Sequence, residues 1–210
     1  SAVGASPREL AALSDASEAH AQQSGEQVLI AAVHASRIGN ALRSHDLTTL
    51  PEHIDFLRQT RDPHTQWRGL MAQAMFLMDQ LDLAGSQAMI DTASEYAKAR
   101  GLLTRGDEAL AQTFFLAWAR GTVGDLRDLL EAADWKASGQ RGWVAALALA
   151  RLFTGDRTGA VTLADELIEC TNGEVPTRDW YTGTTAALLA DVAFFAHAPD
   201  IAVAVLEQLE

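Results

Sequence analysis

With 210 residues, 48% of them hydrophobic, 21% charged and only five prolines, the chain has apolar material for one large domain or two small ones and lacks the composition of a disordered polypeptide. Its formal charge is −12 and only Lys98 and Lys136 among the sixteen basic residues are lysines, a balance that repels phosphate backbones and argues against nucleic-acid binding. The lone Cys170 cannot close an internal disulfide, no apolar run reaches the ~18 residues of a membrane span, and Ser1-Ala2-Val3-Gly4 has no signal-peptide character, so a reducing, cytoplasmic setting is expected.

Helical periodicity runs the length of the chain. A leading helix is predicted near Pro7–Gln22, so residues 1–24 are set apart from a repeat domain over 25–210. Val28 to Val33 is the best strand candidate, but it is interrupted by alanines and continues in a helical pattern to Leu42, so no strands are predicted. Helix pairs are then expected at 26–44 with 49–60, 64–81 with 84–100, 106–120 with 125–134, 140–154 with 157–171, and 178–197 with 200–209. The stripes carrying them include Leu70, Ala74, Leu77 and Leu81, then Leu126, Leu129, Leu130 and Ala133, then Trp143, Ala146, Leu147, Ala150 and Phe153.

Punctuation is regular. Asp82, Gly124-Asp125, Gly155-Asp156 and Pro199-Asp200 each separate two periodic stretches, where Gly or Pro ends one helix and Asp is expected to cap the next. Pro51, Pro63 and Pro176 fall near helix starts, where a missing N–H costs nothing, and Gly101 and Gly121 fall just past helix ends. The four aspartates are 43, 31 and 44 residues apart. Tetratricopeptide (TPR) and related arrays use two-helix units of roughly 34–47 residues. The fourth residue after each Asp is Ser86, Leu129, Ala160 and Ala204, small in three cases, which allows close approach of paired helices; Leu129 predicts a more widely spaced pair. The fold class expected is all-α, a TPR-like α-α superhelix of about five helix–turn–helix pairs forming one domain.

Catalytic signatures are missing: there is no Gly-rich phosphate loop, dinucleotide fingerprint or nucleophile elbow. The six histidines (20, 34, 45, 53, 64 and 197) include no i, i+4 pair and have no cysteine companion, so structural or surface roles are expected and no metal site. Asp125 with Asp128 and Glu166 with Glu169 read as capping or solvated acids. Asp191, inside the apolar run Ala187 to Phe195, needs a partner or a proton; an interhelical hydrogen bond and a ligand contact are the two readings. Trp118 and Trp143 are expected in the core, and Met71, Met75, Met78 and Met89 as core gap-fillers. Trp180 follows Thr177-Arg178-Asp179 at a helix start and is the tryptophan expected to be partly exposed.

The stretch Gly173 to Trp180, the helix Leu188-Leu189-Ala190-Asp191-Val192-Ala193 and the segment Asp200 to Leu209, together with Arg120 to Leu126 and Phe153 to Asp156, resemble the helical-repeat region of large bacterial LuxR-type ATP-binding transcriptional regulators and related nucleotide-cyclase fusions. The resemblance covers roughly residues 46–210; Ala198-Pro199-Asp200 departs from the usual Leu-Gly-Asp-like turn, and the first 40 or so residues match nothing. It implies a non-catalytic interaction or sensing module, a piece of a larger protein whose ATP- and DNA-binding domains lie elsewhere. The partners implied are a protein, a flanking domain of the same chain or a small-molecule inducer, with self-association also open; no cofactor and no membrane are expected. The residues assigned to ligand or partner contact are Arg178, Trp180, Tyr181 and Asp191. Two rival functions remain open. One is a helical-groove hydrolase or lyase, which needs Asp191, His197 and an Arg such as Arg178 to converge; the other is a purely structural spacer.

Overall fold

In the computed structural model, residues 7–44, 47–102, 106–132, 141–170 and 182–207 are described, and they are helical with short turns and no strand. The chain divides into two compact units, Ser1–Leu116 and Ala117–Glu210.

The first unit holds α1 (Pro7–Ser24), α2 (Gln27–Ser44), α3 (Leu50–Gln59), α4 (Pro63–Asp79), α5 (Leu83–Ala99) and most of α6 (Gly106–Arg120). From α1 to α5 each helix packs on the next, and α2 also reaches α4. Ala31, Ile38 and Ala41 of α2 meet Leu50, Ile54 and Leu57 of α3 and Ala72 of α4 in one buried cluster. Trp67, Leu70 and Met71 bury against Ala93 and Ala97, and Ala74 against Ile90 and Leu116. Gln112 adds a polar tie, its Nε2 donating to the Met71 carbonyl at 3.0 Å. These stripes recur at three and four residues, as an amphipathic helix requires.

The second unit begins in the last turn of α6. A 3₁₀ turn (Val123–Leu126) leads into α7 (Arg127–Glu131), followed by α8 (Arg141–Phe153), α9 (Arg157–Glu169), α10 (Thr182–Phe195) and α11 (Pro199–Leu206). The central helix is α8, packed on the 3₁₀ turn, α7, α9 and α10, while α11 covers α10 and touches α9. Its residues Val144, Ala145, Ala146, Ala148, Leu149 and Ala150 are all buried.

Two of the four punctuating aspartates cap as expected. Asp82 accepts from the Gly85 N–H at 2.8 Å and Asp156 from the Gly159 N–H at 2.9 Å. Asp62 does the same for Thr65 ahead of α4, and hydrogen bonds from the Thr65 hydroxyl and N–H hold its carboxyl below the usual range. Asp125 and Asp200 are not caps. Asp125 sits inside the 3₁₀ turn, and Pro199 takes the first helical position so that Asp200 falls one residue too late. Counting from Asp125 therefore misplaces Leu129, which is 54% exposed, while Leu130 is the buried residue of α7.

Helix ends repeat one device. The N–H groups of Asp82, Leu102, Thr122, Asp156 and Ala198 each donate to the carbonyl five residues earlier, and the residue before each has a positive φ. Glycine fills that position at 101, 121 and 155, where its missing Cβ makes the left-handed region accessible; Leu81 at +61° and His197 at +47° do not have that freedom. Because Leu81 is almost fully exposed it gives up little packing on removal. Leu81→Gly is expected to raise stability by about 1 kcal/mol, read as a higher urea midpoint.

Candidate functional site: an aromatic and acidic face

Asp191 is the single charged residue in α10, and it is half-buried. The Trp118 indole Nε1–H donates to its Oδ2 at 2.9 Å, joining the last turn of α6 to α10 across 73 residues of sequence. A neutral N–H donor leaves the carboxylate's negative charge in place and fixes where it points. Trp143 is 7% exposed and lies in the core, whereas Trp118 is half-buried.

Three and four residues along α10 from Asp191, about one turn away, come Phe194 and Phe195, on the same side of the helix. They are 72% and 51% exposed. Phe195 meets Phe153 at the end of α8 edge-to-face, centroids 5.8 Å apart, and Phe194 meets Phe195 in the same way at 5.1 Å. Edge contacts of this kind hold the rings in a row. Phe194 also lines a groove of about 530 Å³ between α10 and α11, with Ala190, Ala193 and His197 on one wall and Ala202 and Leu206 on the other.

The surrounding charge is acidic. From Thr182 to Glu207 the sequence contains Asp191, Asp200 and Glu207 and neither Lys nor Arg. On the flank formed by α9 and α11, burial and then the charges of Glu169 and Asp200 raise the Asp165 carboxyl above its usual range. The arginines of this unit that are described in ion pairs, Arg127 and Arg151, lie at the same C-terminal end of α8 as Phe153 and are engaged by acids there. Glu131 is bracketed by Arg151 at 2.9 Å and Arg127 at 3.1 Å, whose hydrogen bonds lower its carboxyl, and Arg127 also reaches Asp156 at 3.7 Å.

Of the four residues singled out from sequence, Asp191 is placed as above; Arg178, Trp180 and Tyr181 lie outside the described residues, as does Pro176. His197 lines the α10–α11 groove, and Asp191 is not among the groove's lining residues. Sequence reasoning missed Phe153, Phe194 and Phe195. A helix as apolar all round as Thr182–Phe195 cannot bury every face against neighbours on one side, which was the available signal. Among the described residues no group of three or more His, Cys, Asp or Glu is arranged to hold a metal, and no helix is long and apolar enough to cross a membrane. Comparison with protein-family models, curated proteins and solved structures yields no match.

Proposed function

We propose that the chain is a non-catalytic interaction or sensing module, a TPR-like α-α superhelix belonging to a cytoplasmic bacterial regulator of the LuxR type, and that it binds an amphipathic protein segment carrying a basic residue. The observation that carries this reading is the row Phe153, Phe195, Phe194 left open beside the oriented carboxylate of Asp191. Exposed aromatics of this density supply binding energy, and a carboxylate among them selects a cation able to pair with it and to lie over a phenyl face. The capped helix hairpins and the packing of helices on their next-but-one neighbours support the superhelical reading. ATP hydrolysis and DNA binding are assigned to other domains of such a regulator.

A synthetic amphipathic helix of alternating Leu and Arg faces, titrated by fluorescence anisotropy, tests the proposal. Binding is expected to weaken roughly tenfold or more in the Phe194→Ser/Phe195→Ser variant. Asp191→Asn is expected to weaken the Arg peptide while sparing a peptide with Gln in place of Arg. Equal binding of the Arg, Gln and Glu peptides, or none of any, would sink it.

A further inference from the structure

His34 on α2 and His53 on α3 bring their Nδ1 atoms to 3.0 Å. His53 is 7% exposed. His34 is half-buried and its ring stacks on Phe56 at 3.8 Å with the planes 5° apart, while the two imidazoles meet edge-on at 75°. We propose that this pair is a two-proton latch that holds α2 to α3 when it carries no more than one extra proton and releases them when it carries two.

The chemistry follows from which nitrogen bears hydrogen. In the neutral pair one ring is the Nδ1–H tautomer and donates to the bare Nδ1 of the other. A first proton added at the donor's Nε2 leaves that bond intact and makes it charge-assisted. His34 is the ring suited to receive it, because the Phe56 face stabilises a cation and His53 is the more deeply buried of the two. A second proton must go onto the accepting Nδ1. Two N–H groups then point at each other across 3.0 Å, each on a cation, and the contact cannot survive.

The charged or titratable groups whose exposure is described are Asp15 and His20 on α1, Arg37 on α2, Glu52, Asp55 and Arg58 on α3, and His64, Arg68 and Asp79 on α4. All but Arg37 are exposed, and Arg37 is paired with Asp15 at 2.9 Å. An unfolded chain takes up both protons freely near the ordinary imidazole value of about 6.5, whereas the folded pair takes the second only by opening. The stability from this contact is therefore present above that pH and is lost as the pH falls below it.

The latch does not depend on the proposed partner face, which lies in the other unit. Nitrogen-15 NMR of the full chain at pH 7.5 should show one of the two rings as the Nδ1–H tautomer; two Nε2–H rings would overturn the proposal without any mutation. Lowering the pH to 5.5 should accelerate amide exchange in α2 and α3, after correction for intrinsic rates, more than in α4 and α5; uniform acceleration counts against it. In His34→Gln, whose amide can still donate to His53, the fall in Tm between pH 7.5 and 5.5 should shrink by roughly 3–5 °C. The exposed His64→Gln control should leave that fall unchanged. If His34→Gln keeps the unaltered pH dependence the latch is refuted, and if it fails to fold, the NMR and exchange results on the unaltered chain decide.

Discussion

Leu149→Ala is expected to destabilise the second unit by about 3–5 kcal/mol, the upper part of the range for a buried leucine. Leu149 has no exposed surface, and its helical neighbours Ala145, Ala146, Ala148 and Ala150 are just as buried. The cost of such a truncation depends on how far the surroundings can move into the void, and alanine has no rotamer to swing inward. The helices that α8 packs against contribute their own fully buried residues, Ala160 and Ala164 on α9 and Leu188, Leu189 and Val192 on α10, which are already committed. Urea unfolding followed by tryptophan fluorescence should show the midpoint of this unit falling; a loss below about 1.5 kcal/mol would mean that α8 shifts to close the gap.

Gly69→Val should cost the first unit about 1–3 kcal/mol for a different reason, overpacking. A Cβ at Gly69 would lie 2.9 Å from the Arg58 backbone nitrogen, 2.8 Å from its Cγ and 3.1 Å from the Leu57 Cβ. The Arg58 side chain could swing away; the backbone of α3 could not without moving Leu57, which is 2% exposed. Helix propensity alone would favour replacing a mid-helix glycine by up to ~1 kcal/mol, so a stabilised Gly69→Val would show that α3 and α4 are not held at this distance in solution. Thermal unfolding of the variant beside the unaltered chain distinguishes the two.

The helices themselves were legible in the sequence because an apolar stripe at three- and four-residue spacing is a local property. The stretch read as 140–154 is Arg141–Phe153, and that read as 64–81 is Pro63–Asp79. The helix read as 125–134 starts later, at Arg127, because Thr122 accepts from the Asp125 N–H three residues on and Val123–Leu126 tightens into a 3₁₀ turn. A Gly-Asp pair looks the same in sequence whether or not the Asp side chain turns back to cap.

The candidate face was legible only at Asp191, because a lone charge in an apolar helix announces an unmet need. What meets it, Trp118, is 73 residues distant and belongs to another helix, so no spacing rule reaches it. The phenylalanines were visible as an excess of apolar residues but not as an exposed row, since exposure is decided by which neighbours run out. His34 and His53 escaped for the same reason: an i, i+4 search looks along one helix, and this pair faces across two.

The open phenyl row also bears on how the chain behaves among its own copies. Three adjoining rings in water would ordinarily make a surface adhesive, and the formal charge of −12 opposes that by keeping identical molecules apart. The brake is colloidal: it reaches about 8 Å at physiological salt and disappears near the isoelectric point of 4.8. It is also selective, since a positively charged visitor is drawn in by the field that turns a second copy away, so the acidity spread over the whole chain acts as a filter on what may touch three exposed rings.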